Sequence, residues 1–568
     1  MADRTSAGAV LGVSPAPGAT GAGVGESLSV PRLRPLIHGR RKGGTGTILV
    51  DLNPATGETI AHVIGAGPED FEAAVESAAS AASLWRRAPF EERASKMNAL
   101  ADLILDHAET LATLIETEQG KPAHEALTLE ILPALDHLRF LARHAEAFFR
   151  GEGIEPRHPL FSHKHAHYLF DPLGVVAIVT PYTLPFAIPV VQVGAAVAMG
   201  NAAILKPSEH TPLIGLRVGE LFLEAGFPAG LVNVVPSTGD EALHLAAHPQ
   251  VDKVFLTGTL AAGQHIMATA GCAPRPVVLA LNGKHPSIVA ADADIARAAR
   301  GILWGACANA GQNCGAVERV YVEDACASKF INALIEEAGK LQGIGPLISA
   351  GRREEVHLQV GEAVEDGARV LCGGRIPEGR GYFYPPTVLL GPPPGSRILR
   401  EETLGPVIPV VVVENLERAL LMANESDYAL TASGWTASEE TANRMMVGLQ
   451  AGVVTINDVL YSFGEPAATW AGFRKSGIGY NHGIAGLREM CRQRFVSFDP
   501  KPAEAPLFSY PYDARAGEVV RNAMNMLHKP RRLQRFAAFT RMIFNTRFRA
   551  RVPLRKFFVG YRQRKRED

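Results

Sequence analysis

Short apolar segments alternate with helical segments from Gly174 onward, and this alternation restricts the fold more than any other feature of the sequence. A continuous apolar stretch predicts a strand that is enclosed on both faces. The segments between them, such as Leu213–Ala225 and Ala261–Ala270, have the apolar spacing of helices. Alternation of this kind predicts parallel sheets covered by helices, which is an α/β fold. The predicted strands are Val175–Val179, Ala202–Leu205, Val232–Val235, Val254–Leu256 and Val277–Leu281, followed after Ser287 by Arg319–Val322, Val407–Val413 and Val453–Ile456.

The segment before the alternation predicts simpler structure. Residues 1–30 are rich in Gly, Ala, Ser and Pro and are expected to be disordered. Ile48–Val63 predicts a hairpin, because Asn53-Pro-Ala-Thr-Gly-Glu58 marks a turn between two apolar runs. Two helical runs follow, and the second is expected to stop at Gly120-Lys-Pro122.

Size, charge and cysteine usage narrow the class of protein. At 568 residues, 47% of them hydrophobic, the chain is long enough for two or three domains. Its six cysteines are scattered without a CxxC pair, which favours a reducing compartment. No apolar leader follows the N-terminus, and the apolar stretch Leu173–Gly200 is interrupted by prolines, so we expect a cytoplasmic protein without a spanning helix. The sequence predicts no metal site and no nucleic-acid partner.

Six short motifs together indicate a family. They are Asn53-Pro-Ala-Thr-Gly-Glu58, Lys206-Pro-Ser-Glu209, Phe255-Leu-Thr-Gly-Thr259, Asn309-Ala-Gly-Gln-Asn-Cys314, Glu402-Thr-Leu-Gly-Pro406 and Gly472-Phe-Arg-Lys-Ser-Gly477. In this order and spacing they resemble the aldehyde dehydrogenase superfamily over almost the whole chain.

The resemblance implies a domain organisation. It predicts a Rossmann-type NAD-binding domain, an α/β catalytic domain and a small β element that joins subunits into dimers or tetramers, with a basic tail added after them. The corresponding ranges are 31–151 and 171–280 for the NAD-binding domain, 281–486 for the catalytic domain, 152–170 and 487–500 for the β element, and 501–568 for the tail.

Cys314 is the predicted nucleophile. An aldehyde that loses hydride must first form a tetrahedral adduct, and a thiolate is strongly nucleophilic even when little of it is ionised. A lone cysteine is more often a small buried hydrophobe, and we expect that role for Cys307. The frame Asn-x-Gly-Gln-x-Cys around Cys314 favours catalysis there instead.

Cofactor capture is predicted at the carboxyl ends of the strands, where doubly wound sheets bind ligands. A carboxylate at Glu209, beside Lys206, accepts ribose hydroxyls and repels a 2′-phosphate, which favours NAD over NADP. Gly258 and Thr259 precede a helix, where backbone N–H groups bind phosphate. The resemblance adds further cofactor residues, Thr180, Pro181, Ser208, Gly239, Thr257, Leu281, Glu402 and Leu404, and two substrate-pocket residues, Tyr182 and Phe473.

Two segments depart from the family pattern. Where the family reads Glu-Leu-Gly-Gly-Lys, this chain reads Ala280-Leu-Asn-Gly-Lys284, so the carboxylate that activates water is replaced by a methyl group. Where the family reads Pro-Trp-Asn-x-Pro, this chain reads Pro181-Tyr-Thr-Leu-Pro185, which leaves the Thr183 hydroxyl and the Cys314 N–H for the oxyanion. A positioned base contributes about 10²–10⁴-fold and one oxyanion donor about 10²–10³-fold. The predicted function is NAD-dependent aldehyde oxidation, with two alternatives: acyl transfer to coenzyme A, whose users in the family lack the carboxylate, and a non-catalytic scaffold.

The last part of the chain differs from the rest in its net charge. From Lys529 to Asp568 the net charge is +12, whereas the whole chain carries −1. After Arg531, aromatic residues recur among arginines at helical spacing, which predicts an amphipathic helix at an anionic membrane surface. Packing of this helix on the enzyme, or over the mouth of its active site, is the alternative.

Overall fold

The computed structural model describes residues 30–149, 151–154, 158–161, 164–500, 510 and 514–551. The segment predicted to be disordered lies outside this range except for its last residue, as do 501–509, 511–513 and 552–568 of the tail. The chain forms two units, one of Met1–Glu146 and Pro172–Cys491, the other of Ala147–Asp171 and Arg492–Asp568.

The strands of the described residues are short, as expected for enclosed strands of an α/β fold. In chain order they are β1 (Arg32–Leu33), β2 (Leu36–Ile37), β3 (Arg40–Arg41), β4 (Ile48–Leu52), β5 (Thr59–Ile64), β6 (Glu152–Ile154), β7 (His165–Pro172), β8 (Val175–Val179), β9 (Ala202–Lys206), β10 (Val232–Val234), β11 (Lys253–Thr257), β12 (Val277–Ala280), β13 (His285–Val289), β14 (Val317–Glu323), β15 (Arg369–Cys372), β16 (Thr387–Leu390), β17 (Val407–Val413), β18 (Tyr428–Ala429), β19 (Thr431–Trp435), β20 (Val453–Ile456), β21 (Phe473–Arg474), β22 (Gly477–Ile478) and β23 (Cys491–Phe498).

The α-helices fill most of the intervals between the strands. In chain order they are α1 (Pro68–Trp85), α2 (Phe90–Asp106), α3 (Ala108–Gln119), α4 (Ala123–Ala126), α5 (Leu132–Phe149), α6 (Ala187–Ala198), α7 (Pro212–Glu224), α8 (Leu243–Ala247), α9 (Leu260–Gly271), α10 (Ile295–Cys307), α11 (Asp324–Lys340), α12 (Ala350–Glu365), α13 (Leu416–Asn424), α14 (Glu439–Gly448), α15 (Gly483–Glu489), α16 (Ala514–His528), α17 (Arg532–Phe544) and α18 (Thr546–Arg551). A π-helical turn, Leu127–Ile131, leads into α5.

The first unit contains an eight-stranded sheet in the order β22-β12-β11-β8-β9-β10-β2-β3. Strands β12, β11, β8, β9 and β10 are parallel, and the strands at both ends of the sheet run antiparallel to their neighbours. Every residue of β8, β9 and β11 is buried, which accounts for their continuous apolar sequence. Their carboxyl ends share one edge, so this sheet brings several predicted site residues together.

A second sheet of the same unit has seven strands in the order β15-β16-β17-β14-β13-β19-β20, all parallel except β15. Its core is formed by apolar residues of β13, β14 and β17 together with α10 and α11. Two parallel sheets covered by helices confirm the predicted α/β fold.

The N-terminal part differs from expectation at one point. The predicted hairpin is present as β4 and β5, with Gly57 N–H donating to the Asn53 carbonyl at 2.7 Å. The second helical run is two helices, α2 and α3, because the chain breaks at His107, whose φ of −101° and ψ of 10° are not helical. Helix α3 ends at Gly120, which adopts a left-handed conformation with φ 82°.

The second unit combines a small sheet with helices. Strands β23, β7 and β6 form the sheet, so the two segments predicted for the bridging element lie in one sheet. In the described part of the tail, the expected single helix is instead three helices, α16 to α18, which pack around one small core. Leu160 belongs to that core, together with Val519, Ala523, Met526, Ala538, Met542 and Phe548. Helix α17 therefore turns Met542 inward, whereas Leu533, Phe536 and Phe544 stay exposed. Among the described residues, no helix has the length and hydropathy needed to cross a bilayer.

Candidate active site

The loop that carries Cys314 has a strained backbone held by side-chain hydrogen bonds. After α10, Asn309 and Ala310 both adopt positive φ, 55° and 52°. The Asn309 amide donates to the Thr183 carbonyl at 2.9 Å and to the Gln312 carbonyl at 2.7 Å. Its oxygen accepts from Gln119 Nε2 at 2.6 Å. Residues in this left-handed region cost of order 1–3 kcal/mol and persist where their surroundings fix them, often at functional sites.

Gln312 and Asn313 extend this support on either side of the thiol. Gln312 is fully buried, and it accepts from Ile348 N–H at 2.8 Å and donates to the Pro346 carbonyl at 3.2 Å. The Asn313 side chain accepts from Gly315 N–H at 2.9 Å. The backbone before and after Cys314 is thus held by hydrogen bonds.

Cys314 is half-buried at the edge of an apolar cluster that includes Leu184, Phe463 and Trp470. Burial raises the pKa of its thiol to about 12, and the negative charge of Glu402 contributes in the same direction. The backbone N–H of Cys314 and the charge of Lys121 act in the opposite direction. Cys307 is buried in the core of the seven-stranded sheet, as its sequence context predicts.

Thr183 lies beside the nucleophile loop. Its carbonyl accepts from Asn309, and also from Lys121 Nζ at 3.3 Å. Lys121 is buried and paired with Glu130, whose second oxygen accepts from Ala187 N–H at 2.8 Å at the start of α6. The Thr183 hydroxyl is buried and has no hydrogen-bond partner among the described residues. The hydrogen-bonding capacity of this hydroxyl is therefore unused within the described part of the chain.

Glu402 is anchored through its carboxylate. One oxygen accepts from Gly283 N–H at 3.0 Å and the other from the Asn282 amide. The following backbone is fixed by Glu318, which accepts from Thr403 N–H and Leu404 N–H, each at 3.1 Å, and is paired with Lys284 at 2.9 Å. Burial raises the pKa of Glu402 to about 7, and the nearby charge of Glu318 adds to the effect.

The other predicted cofactor residues line the edge of the eight-stranded sheet. Lys206 ends β9 beneath Thr180, whose N–H donates to the Lys206 carbonyl at 3.1 Å. Lys206 Nζ is 3.4 Å from Glu209 Oε2, and its side chain is 3% exposed against 42% for Glu209. Burial lowers the pKa of Lys206. Burial alone would raise the pKa of Glu209, but the charge of Lys206, hydrogen bonds to the carboxylate and the charge of His210 together lower it.

The same edge includes the end of β11 with the two residues after it, and the end of β12. Thr257 pairs with Ala280 in register, and Gly258 N–H donates to the Ala280 carbonyl at 3.0 Å. Thr259 caps α9, its hydroxyl accepting from Ala262 N–H at 3.2 Å. The methyl group of Ala280 thus stands where the resemblance places a carboxylate, beside the predicted phosphate turn.

The remaining cofactor positions have mostly local contacts. Ser208 accepts from His210 N–H at 3.2 Å, and Leu281 N–H donates to the Ser476 carbonyl at 2.9 Å. Gly239 precedes a short 3₁₀ turn, and a side chain there would meet no neighbouring atom within 4 Å. The hydroxyls of Thr180 and Ser237 are buried without partners among the described residues.

A cavity of about 240 Å³ borders the nucleophile loop at Asn313. Most of its lining is apolar or aromatic and includes members of the cluster against which Cys314 packs, with Thr128 and Asp458 as further polar residues. The main apolar members are Leu129, Leu184, Trp304, Tyr461, Phe463 and Trp470. The two residues predicted for the substrate pocket are not part of this lining. Tyr182 stands edge-on to His210, with ring centroids 5.8 Å apart, and Phe473 is half-exposed on β21.

Several supporting residues escaped the sequence reasoning. The ion pairs of Lys121 with Glu130 and of Lys284 with Glu318 are separated by 9 and 34 positions, neither of which is a helical spacing, so no local pattern signals them. His285, next to Gly283, is buried and accepts from Thr431 N–H at 3.4 Å. Burial lowers its pKa to about 4, so it is a neutral imidazole at physiological pH. Among the described residues, no group of His, Cys, Asp and Glu side chains has the arrangement of a metal site.

Comparison with known proteins decides the family. The model of the aldehyde dehydrogenase family matches residues 41–496. The chain belongs to the aldehyde dehydrogenase family. It is 36% identical over 485 residues to lactaldehyde dehydrogenase from Escherichia coli K12, covering 83% of this chain and 99% of that protein.

Solved structures of related proteins have the same fold. The NAD⁺ complex of aldehyde dehydrogenase from Bacillus cereus has a TM-score of 0.79 and 34% identity, covering 83% of this chain and 97% of that one. An NADP-dependent enzyme from E. coli also has a TM-score of 0.79, with 31% identity and coverage of 83% and 98%. This aldehyde dehydrogenase is thus an oxidoreductase of aldehydes with relatives that use either cofactor. Its residues 497–568 lie beyond the family match.

Proposed function

We propose that this aldehyde dehydrogenase uses NAD and oxidises an apolar, uncharged aldehyde through a thiohemiacetal and a thioester on Cys314. The observation that carries the proposal is the position of this thiol. It is held between Asn313 and Gly315 in a fixed loop and contacts Leu184, Phe463 and Trp470, which also line the apolar cavity. An aldehyde bound in that cavity would present its carbonyl carbon to the sulfur.

The cofactor edge fits a dinucleotide. Glu209 and Lys206 would hold the adenosine ribose. The buried hydroxyls of Thr180 and Ser237 have no hydrogen-bond partner among the described residues, and the bound cofactor would supply one. Glu402 would hold the second ribose. When bound, NAD supplies the acceptor for the hydride. Because Glu209 keeps its negative charge, we expect NAD to bind at least ~10-fold more tightly than NADP and Glu209→Gln to narrow that ratio, as measured by calorimetry.

The protein residues then act in turn. The Cys314 thiol gives its proton to solvent water, and the sulfur bonds to the carbonyl carbon. The resulting oxyanion accepts hydrogen bonds from the Cys314 N–H and from the Thr183 hydroxyl, which has no other partner among the described residues. Hydride leaves the carbon and a thioester remains. Hydrolysis requires an activated water, and Ala280 offers no base for it, so deacylation is the slow step.

Stopped-flow kinetics test this function. Mixing enzyme, NAD and an apolar aldehyde such as phenylacetaldehyde should give a burst of NADH close to one per active site, followed by slow turnover. Mass spectrometry of the quenched mixture should show the acyl group on Cys314, and Cys314→Ser should abolish both signals. Fast steady hydrolysis without a burst would contradict a slow deacylation. Absence of both NADH and adduct with a panel of aldehydes would favour the non-catalytic scaffold.

Acyl transfer is a second candidate function, and the methyl group at Ala280 favours it. An acceptor that brings its own nucleophile, such as coenzyme A, needs no water-activating carboxylate. The same reaction run with and without coenzyme A separates the two. If coenzyme A raises the steady rate at least tenfold and acyl-coenzyme A accumulates, transfer is the physiological outcome. An unchanged rate leaves water as the acceptor.

The second unit supports a proposal about location and assembly. We propose that α17 binds anionic membrane surfaces, because its exposed Leu533, Phe536 and Phe544 are surrounded by arginines such as Arg532 and Arg541. Apolar burial and attraction to acidic lipid act together on such a helix.

For the sheet of β6, β7 and β23 we propose the joining of subunits into a homodimer or homotetramer, which sedimentation equilibrium would measure.

A further inference from the structure

Asn282 makes two hydrogen bonds that connect the ends of the proposed cofactor site. Its side-chain oxygen accepts from Leu260 N–H, the first residue of α9, and its amide donates to Glu402 Oε2. The Asn282 backbone is fixed as well, because Ser476 Oγ donates to its carbonyl at 2.8 Å. The side chain therefore bridges α9 and Glu402 from a rigid position.

Both partners of Asn282 are groups that a ligand would otherwise use. The first N–H groups of a helix lack partners within the helix and form an anion site. At α9 the Thr259 hydroxyl already serves Ala262 N–H, and Asn282 serves Leu260 N–H. The Glu402 carboxylate, held from the other side by Gly283, is the acceptor proposed for the second ribose. A glycine at position 282, as in the family pattern, leaves both groups free.

We propose that Asn282 is a latch that competes with the cofactor for Leu260 N–H and for Glu402. This inference rests on the proposed NAD site. Pyrophosphate reaches the start of α9, and a ribose reaches Glu402, only after the Asn282 side chain has rotated away. Binding of the complete dinucleotide is therefore weaker than the site would otherwise allow, by about tenfold, whereas binding of the adenosine part at Lys206 and Glu209 is unaffected.

The binding of NAD, measured by calorimetry, and of adenosine, measured by NMR, tests the latch in a set of variants. NAD is titrated into the wild type, Asn282→Ala, Asn282→Gly and Asn282→Asp, and adenosine binding is measured by ligand-observed NMR. Asn424→Ala is the matched control, because Asn424 also bridges two groups, Gly448 carbonyl and Gln450 N–H, neither of which belongs to the proposed cofactor site. We expect Ala and Gly at position 282 to lower the Kd for NAD about tenfold with no change for adenosine. Asn282→Asp should give no gain, because it places a second carboxylate beside Glu402.

Each result is decisive. An NAD affinity that is unchanged or lower in Asn282→Ala and Asn282→Gly, while the wild type binds NAD, overturns the latch and leaves the proposed function standing. An equal gain for adenosine also overturns it, since that indicates general loosening of the sheet edge. If none of the proteins binds NAD or adenosine, the proposed cofactor fails and the latch with it. NAD binding by the Ala and Gly variants alone supports the latch in its strongest form.

Discussion

The thiol of Cys314 lies where the neutral form is favoured. Burial is the larger cause of its pKa of about 12, and the charge of Glu402 is the next. At pH 7 only a minute fraction of the thiol is ionised, so the free enzyme should react slowly with alkylating agents. Because the carboxylate opposes ionisation, its removal should have the opposite effect.

Glu402→Gln should therefore speed alkylation of Cys314. We expect iodoacetamide to modify the Cys314 peptide about 3- to 10-fold faster than in the wild type at pH 8, because one pKa unit changes the thiolate fraction about tenfold. Mass spectrometry of that peptide separates it from the exposed Cys272. Glu401→Gln, on the exposed neighbour that pairs with Arg397, is the control and should change nothing. A slower reaction in Glu402→Gln would show instead that Glu402 takes the proton from the thiol.

A carboxylate restored at position 280 should quicken the slow step. Ala280 is half-buried at the end of β12, with its backbone paired to Thr257 and to Gly477. We expect Ala280→Glu to raise the steady rate after the burst at least ~10-fold, in line with the effect of one positioned base. Ala280→Gln has the same size without the charge and should leave the rate unchanged. Equal rates in both variants would mean that this side chain does not reach the thioester.

At the residue scale, the sequence predicted positions better than contacts. The frame around Cys314 coincides with a loop of unusual backbone, since the positive φ of Asn309 and the buried amide of Gln312 belong to the same short segment, and the role of its thiol stays a prediction. The hydrogen bond from Asn282 to Glu402 joins two residues that are 120 positions apart in the chain, so only the folded structure shows it. Local sequence contains no signal for a contact of that kind.

Three elements of the first unit meet at a pair of buried carboxyls. Asp51 on β4 faces Glu118 at the end of α3, and Glu118 accepts from Leu213 N–H at 2.5 Å and Ile214 N–H at 2.8 Å at the start of α7. A carboxylate is favourable at a helix N-terminus. Two facing carboxyls cannot both ionise cheaply, and burial raises the pKa of Asp51 to about 8.

This pair should make the enzyme less stable as pH rises. The folded pKa of Asp51 is above its unfolded value of 3.8, so its contribution is complete below about pH 4 and is lost as pH rises through 8. Asp51→Asn removes this loss and leaves Glu118 as the one ionisable group of the pair. We expect the variant to gain on the wild type by at least about 1.4 kcal/mol between pH 5 and pH 9, the equivalent of one pKa unit. Urea unfolding at both pH values measures it, with the exposed Asp106→Asn as control. A constant difference between variant and wild type would exclude the pair as the cause.

At the scale of elements, the apolar runs predicted the strands well and the tail poorly. Runs such as Val407–Val413 and Val453–Ile456 coincide with β17 and β20. The run Val175–Val179 coincides with β8, in which every residue is buried, because a strand buried on both faces must be apolar throughout. The tail was expected to be one amphipathic helix, and it is a set of three packed helices. The spacing of its aromatic residues predicts a helix. It does not predict which face of the helix packs against α16 and Leu160, because that packing depends on segments distant in the chain.

At the scale of the whole molecule, the exposed side of α17 should recruit the enzyme to acidic lipid. Deleting the tail would also uncover Leu160, so point variants are the cleaner test. Leu533→Ser with Phe536→Ser leaves the core of the second unit unchanged, because both side chains are exposed, 84% and 65%. We expect this variant to lose most of its co-sedimentation with vesicles of phosphatidylserine and phosphatidylcholine at low salt.

The controls separate lipid binding from other effects. Val447→Ser changes a residue of the first unit that is 88% exposed and should sediment like the wild type. Salt at 0.5 M should weaken wild-type sedimentation, because attraction between exposed charges is screened over a Debye length of about 10 Å at 0.1 M and less above it. A wild type that ignores acidic vesicles at low salt would show that this face has another role.

The small core around Leu160 can form only after the C-terminal helices have been synthesised. Its members come from the first third of the chain and from almost its end, so Leu160 is synthesised long before α16 and α17 exist to cover it. Domains generally fold as they emerge, and apolar surface left waiting is prone to aggregation. A product of early termination or of a nick ahead of α16 would carry Leu160 uncovered. Cellular quality control could recognise such an incomplete chain by that surface, even when its two large sheets are already formed.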